Sequence, residues 1–109
     1  MTSETAIGIY ESISGTVHVN LKRELELVAV TYAHSRARWR LASREAREAM
    51  NDARSAAHEV LIDGCNILAR SMARSGEDAT WRSRLSDDRK EIGDFACHVH
   101  CLLAIGARS

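Results

Sequence analysis

The chain has 109 residues, the size of one domain, and its 15 lysine and arginine residues balance its 15 aspartate and glutamate residues. Zero net charge argues against a purely electrostatic nucleic-acid clamp and against an acidic mimic of nucleic acid. No apolar stretch approaches the roughly 18 residues of a membrane span, and the amino terminus lacks the basic start and apolar run of a signal peptide.

A short amphipathic pattern opens the chain and predicts a first helix over residues 3–14. Its apolar side consists of Ile7, Ile9, Tyr10 and Ile13. Gly15 indicates a turn after this helix. Thr16 is a candidate N-cap for the next helix, because a threonine hydroxyl accepts a hydrogen bond from a free backbone N–H.

The long segment 17–75 contains no proline and one glycine, Gly64, and its apolar residues keep one helical phase. This stripe consists of Leu21, Leu25, Val28, Tyr32, Trp39, Ala46, Met50, Ala53, Ala57, Leu61, Gly64 and Leu68. One helix over the whole segment would be about 88 Å long, whereas globular helices average roughly 11–12 residues. A break is therefore expected near His34–Ser35 or at Ser43, but neither site carries a full stop signal, and one very long helix stays an alternative.

The two alternatives predict different molecules. With a break, residues 17–42 and 44–75 fold back on each other and the last helix completes a bundle. Without one, part of the stripe needs a second chain, most simply in a two-fold dimer. The second half of the stripe region is rich in small residues, so we expect the last helix to supply bulk there. These small residues are Ala46, Ala49, Ala53, Ala56, Ala57 and Gly64.

The long segment is expected to end at Ser75–Gly76, because glycine suits a left-handed C-cap. Either Thr80 or Ser86 is expected to open the last helix, which should run to about Ile105 and end at Gly106. One face of this helix carries Ile92, Phe95, Val99 and Leu102, and the opposite face carries Cys97, Cys101 and Ala104. A helix that is apolar nearly all round is typical of a bundle centre or an oligomer interface.

No strand pattern is found along the chain, so the sequence predicts an all-α fold in a single domain, residues 1–109. The expected architecture is a small helical bundle of about three to four helices without a β-sheet. One very long central helix remains part of this prediction until the break is located.

The three cysteines do not have the dense spacing of a secreted disulfide framework, so we expect reduced thiols in a cytoplasmic protein. Cys97 and Cys101 share one helix face, and Cys65 can approach them if the neighbouring helices are antiparallel. These cysteines with one histidine are weak candidates for a zinc site, since their spacing matches no common zinc motif. The simpler interpretation treats the cysteines as small buried apolar residues, and a thiol role is a further alternative.

Basic residues are concentrated between positions 34 and 47, where five arginines accompany a single acidic residue, Glu45. Four of the arginines step by four, four and three residues, which predicts a ridge along one helix flank. The candidate binding residues are Arg36, Arg38, Trp39, Arg40, Arg44 and Arg47. Such a ridge can bind an acidic protein surface, follow a phosphate backbone with Trp39 stacking on bases, or remain a solvated face.

The sequence shows no glycine-flanked serine, phosphate-binding loop or paired set of metal-binding carboxylates, so we expect neither an enzyme nor a cofactor. It favours a non-catalytic helical module that docks on a protein partner as an adaptor, regulator or inhibitor and self-associates as a homodimer. Two alternatives stay open: a nucleic-acid-binding bundle that uses the arginine ridge, and a metal- or thiol-dependent protein that uses the cysteines.

Overall fold

The structure, a computed structural model, describes residues 4–108 and the side chains of residues 4–106. Its helices are α1 (Glu4–Ser14), α2 (Val19–Leu41), α3 (Arg44–Arg74), α4 (Trp81–Arg84) and α5 (Arg89–Arg108). The described part of the chain contains no strand, which confirms the all-α prediction. No helix there is long and apolar enough to cross a membrane.

The long segment breaks at Ala42–Ser43, one of the two predicted sites, so the alternative of one unbroken helix is wrong, and the His34–Ser35 site stays helical. The Ser43 hydroxyl accepts a hydrogen bond from the Ala46 backbone N–H at 3.2 Å and caps α3. Ser43 itself has an extended backbone, which turns the chain between two antiparallel helices. The α2–α3 hairpin is thus set by one N-cap rather than by glycine or proline.

Helix α2 is the centre of the molecule, because it packs against α3 on one side and against α5 on the other. Helix α1 packs against α5 and the short α4. The largest fully buried side chains come from all five helices and include Ile9, Tyr32, Leu68, Trp81 and Phe95. The whole measures 48 × 30 × 24 Å, with the hairpin as its longest part.

The connection between α1 and α2 differs from the prediction, since α2 begins at Val19 and Thr16 does not cap it. Thr16 is buried; its hydroxyl donates to Glu77 Oε2 at 3.1 Å and accepts from the His18 backbone N–H at 3.2 Å. This threonine therefore joins the start of α2 to the end of α3. Ser3, the first residue of the predicted helix, lies outside the described residues.

The end of α3 confirms the predicted stop. Gly76 has a φ of +79°, in the left-handed region that suits glycine. Its backbone N–H donates to Ala73 O at 3.1 Å, and the Glu77 N–H donates to Met72 O at 2.9 Å. These two bonds form a Schellman motif that satisfies the last carbonyls of the helix.

The last helix begins and ends later than predicted. Neither Thr80 nor Ser86 opens it; the single turn α4 comes first, and Asp88 Oδ1 accepts from the Glu91 N–H at 2.9 Å at the start of α5. The prediction that Gly106 ends the helix is also wrong, because α5 continues to Arg108. A glycine inside a helix costs only about 1 kcal/mol, so it does not by itself stop one.

The expectation that the last helix supplies bulk to the small residues of α3 is wrong. A Cβ at Gly64 would lie 3.4 Å from Leu25 Cδ1 and 3.5 Å from Val28 Cγ2, so α2 fills that space. Towards the turn, Ala53 and its neighbours are exposed instead of covered. Because α5 lies across α2, one face of the α2–α3 hairpin is left open.

Candidate functional site: the basic tip of the hairpin

The predicted arginine ridge is divided by the break at Ser43. Its first three arginines lie in the last turns of α2, and the other two lie in the first turns of α3. The two helices are antiparallel, so all five guanidiniums stay near the turn, which we call the hairpin tip (residues 36–47). The ridge therefore becomes a cluster at one end of the molecule instead of a line along one helix.

Arg36 is committed to the bundle. Its guanidinium lies against the backbone of Gly93 in α5, where an added Cβ would come within 2.6 Å of Cζ. Nη1 lies 3.7 Å from Asp94 Oδ1 and donates to Cys97 Sγ at 3.7 Å. This side chain ties α2 to α5 and offers little to a partner.

Arg47 is also occupied within the chain. Its Nε donates to Trp39 O and its Nη2 donates to Arg40 O, both at 2.9 Å. These carbonyls belong to the last turn of α2, where Trp39 O also accepts from the N–H of the C-cap residue Ala42 at 3.3 Å. Arg47 therefore caps α2 from the first turn of α3 and stiffens the tip.

Trp39 is half-buried outside the apolar core, between two cations. The Cζ atoms of Arg47 and Arg54 lie over its ring, 4.4 and 3.9 Å from the centroid. Both distances are within the range of cation–π attraction. Sequence reasoning missed Arg54, although its seven-residue spacing from Arg47 places both on one face of α3.

Arg54 carries further signs of a crowded position. Its Nε is buried and has no hydrogen-bond partner among the described residues. Burial, followed by the charge of the nearby Arg89, lowers the pKa of the Arg54 guanidinium from its usual value. The indole ring of Trp39 thus supports a cation that has little other compensation.

Three arginines of the tip are free. Arg38, Arg40 and Arg44 are exposed, and their guanidiniums form no hydrogen bond or ion pair with any residue from 4 to 106. Between them, the side chain of Leu41 is 89% exposed, the most exposed of the large apolar residues described. The tip therefore presents one apolar side chain, in a groove with Arg40, and two further unpaired positive charges on its other sides.

The cysteines do not come together. Cys65 is fully buried in the core, and burial raises the pKa of its thiol to about 12. Cys97 and Cys101 are exposed on α5, which corrects the expectation that all three are buried. Within the described residues, no group of three or more histidine, cysteine, aspartate or glutamate side chains is placed to hold a metal ion.

Four of the histidines contact aromatic rings or the backbone of another part of the chain. His34 and His100 lie with ring centroids 4.8 Å apart, and His98 lies 5.9 Å from Tyr10. The Nε2 atom of His58 is 2.9 Å from the backbone oxygen of Asp87. These contacts join α2 to α5, α1 to α5, and α3 to the loop before α5.

Comparisons with models of protein families, with curated proteins and with solved structures found no match. The function of the protein must therefore be inferred from the arrangement of its own side chains. Among them, the hairpin tip combines exposure, unpaired charge and a rigid support more fully than any other part of the described structure.

Proposed function

We propose that this protein is a non-catalytic helical module, an adaptor, regulator or inhibitor, that docks on an acidic surface of a partner protein through its hairpin tip. The observation that supports this proposal is the exposed Leu41, which shares a groove with Arg40, on a tip whose Arg38, Arg40 and Arg44 have no partner among the described residues. An apolar anchor inside a charged rim is the arrangement found at the centre of many protein interfaces.

The two parts of this surface make different contributions to binding. Burying the side chain of Leu41 in a partner's apolar pocket is worth about 2 kcal/mol. Each exposed arginine adds about 0.2–1 kcal/mol if it meets a carboxylate, and positive charge also speeds association with an acidic surface. Arginine suits this task because its planar group binds carboxylates through two hydrogen bonds.

The tip is also rigid before it meets a partner. The Ser43 cap fixes the turn, and the two hydrogen bonds of Arg47 hold the last carbonyls of α2. The Trp39 ring, between Arg47 and Arg54, joins the two helices behind the turn. Preorganisation of this kind lowers the entropy cost of binding.

A protein partner is favoured over a nucleic acid by two features of the tip. Trp39 already has two guanidiniums over its ring, and these compete with a base for the aromatic surface. Leu41, at the point of greatest exposure, has no use against a phosphate backbone.

The proposal is tested by affinity capture from nuclease-treated extract of the source cells, followed by affinity measurement on the purified partner. The tip variant carries Arg40→Glu, Leu41→Ser and Arg44→Glu together. From the energies above, we expect its dissociation constant to rise about 100-fold. The interaction of the wild-type protein should also weaken as salt is added, because exposed charges are screened.

The matched control carries Arg23→Glu and Arg70→Glu, two exposed arginines without a partner among the described residues and away from the tip. It has the same change of charge and should alter the dissociation constant less than about 2-fold. Equal losses in the two variants would contradict docking through the tip. Capture that nuclease abolishes would contradict a protein partner and support a nucleic acid.

A further inference from the structure

A second surface, the open face of the α2–α3 hairpin, has no cover within the chain. Two shallow grooves lie along it between the helices. The first is lined by Leu21, Glu24, Leu25, Val28, Val60, Asp63, Gly64 and Ile67. The second lies nearer the tip and is lined by Val30, Thr31, His34, Ser35, Arg38, Ala53 and Ala57.

The two grooves form one continuous surface. On α3, the steps from Ala53 to Ala57, Val60 and Gly64 are of four, three and four residues, which keep to a single helix face. Val60 is 50% exposed and Ile67 is 44% exposed, so large apolar side chains remain in water along this face. The exposed Ala49 and Ala56 continue it on α3.

The charges on this surface are separated by sign. Glu24 and Asp63 lie together in the groove far from the tip, and Arg38 lies in the groove near the tip. None of these three side chains has a hydrogen bond or an ion pair with any residue from 4 to 106. On α2, Glu24 and Arg38 are 14 residues apart, which is about 21 Å along the helix.

We infer that the open face is covered by a second copy of this chain, with the two hairpins antiparallel and related by a two-fold axis. A two-fold arrangement places each end of the face against the opposite end of the same face. Arg38 of each copy then lies level with Glu24 of the other, near Asp63. A parallel pair would bring Arg38 against Arg38 and Glu24 against Glu24.

The same alignment decides which residues meet at the axis. If Arg38 and Glu24 are paired, the axis crosses the face midway between them, level with Thr31 on α2 and with Ala56 and Ala57 on α3. Small side chains at the axis let the two α3 helices approach closely, since the distance between packed helices depends on the side chains at the contact. The small residues of α3 that the chain leaves exposed are explained by this contact.

The size of the face suits a dimer. Two helices packed about 10 Å apart form a face about 20 Å wide. Over the roughly 32 Å from Ala46 to Ile67, this face has an area of about 600 Å². Stable interfaces bury from about 600 to about 1,000 Å² on each partner, so the face reaches the lower end of this range. Asp52 and Glu59 lie on the outer flank of α3 and line neither groove. Water and salt therefore screen the repulsion between these carboxylates on the two copies.

The dimer goes beyond the proposed docking and uses the open face, which shares Arg38 alone with the docking surface. Pairing occupies Arg38 but leaves Arg40, Leu41 and Arg44 free on each copy. The two tips then lie about 35 Å apart at opposite ends of the dimer. A dimer of this shape can hold two partner molecules, or two sites of one partner, with the gain in strength that two linked contacts give.

The test is the solution mass measured by analytical ultracentrifugation from about 1 μM to 1 mM for four proteins. These are the wild type, Glu24→Arg, Arg38→Glu and the double variant that carries both changes. We expect the wild type to reach twice the 12.1 kDa chain mass. Each single reversal should raise the dimer dissociation constant at least about 10-fold, and the double variant should regain dimerisation to within about 3-fold.

The control is Arg40→Glu, which has the same change of charge on the same helix but lies in the groove on the α5 side. It should leave the dimer unchanged while it weakens docking of the tip, so the two proposals fail separately. Circular dichroism melting of every variant confirms that each chain is folded. A wild-type monomer at every concentration, a dimer indifferent to the single reversals, or a double variant as weak as the singles would overturn the inference.

Discussion

The covered and open faces of the α2–α3 hairpin differ in side-chain size and in what surrounds them. On the covered face, Leu61, Cys65 and Leu68 are fully buried against the rest of the bundle. On the open face, Val60 and Ile67, each directly before one of those leucines, are about half exposed. The comparison teaches that neighbouring apolar residues on one helix serve two purposes: one set holds the chain together, and the other is available to a second molecule.

The largest expected effect comes from a matched pair of truncations on the two faces. Leu68→Ala removes a fully buried side chain and should lower the free energy of unfolding by about 2–5 kcal/mol. Ile67→Ala removes a side chain of equal size that is 44% exposed and should cost less than about 1 kcal/mol in the monomer. Urea unfolding in dilute solution measures both, and equal losses would contradict the division into two faces.

The covered face should also become less stable at alkaline pH. Burial raises the pKa of Cys65 from 9.0 to about 12, and burial with the Glu26 hydrogen bond raises the pKa of Tyr10 from 10.0 to about 12. Because the folded-state pKa values are above the unfolded ones, this stability is present below pH 9 and is lost as the pH rises towards 12.

The expected loss from Cys65 is about 3 kcal/mol, measured by urea unfolding between pH 8 and 11.5. Cys65→Ala should start less stable but show a shallower decline over this range, because the titrating thiol is gone. Cys97→Ala is the control, since that thiol is exposed and its removal should leave the slope unchanged. If the free energy of unfolding falls equally with pH in the wild type, Cys65→Ala and Cys97→Ala, burial of Cys65 does not cause the loss of stability at alkaline pH.

The smallest predicted effect concerns the turn that creates the two faces. Ser43→Ala removes the N-cap of α3 and should lower the free energy of unfolding by about 1 kcal/mol. Ser35→Ala, at the other predicted break site, lies inside α2 and should be neutral or slightly stabilising, because alanine favours a helix. Thermal unfolding measures the stability of both variants. A larger loss for Ser35→Ala than for Ser43→Ala would contradict a helix start at Ser43.

Much of the fold could be predicted from residues with a local physical meaning. Gly76 stops α3 because only a left-handed backbone closes that helix end, and this is readable from sequence. The break at Ser43 was one of two candidates, because a lone serine caps a helix only where folding back lowers the free energy of the chain. That gain comes from tertiary packing, which no single residue reports.

The candidate site was less predictable than the fold. The spacing of the arginines indicated a basic surface, but Arg36 and Arg47 are held within the chain by the backbone of Gly93 and by the carbonyls at the end of α2. Such contacts depend on which helices meet, and periodicity does not encode this. The exposure of Leu41 has the same origin, since it depends on the position of the turn, which the sequence left open between two sites.

The most direct test of the open face uses a cysteine introduced at Ala56, the exposed position expected nearest the two-fold axis, or at Ala53, about one helical turn nearer the tip. Each variant is labelled with a maleimide in dilute and in concentrated protein, and the native Cys97 and Cys101 on α5 serve as exposed internal references. The account predicts that the introduced thiol reacts at least about 10-fold more slowly at high concentration, while the references react at the same rate in both. Introduced thiols that react equally fast at both concentrations would contradict it, because the open face would then have no second copy over it.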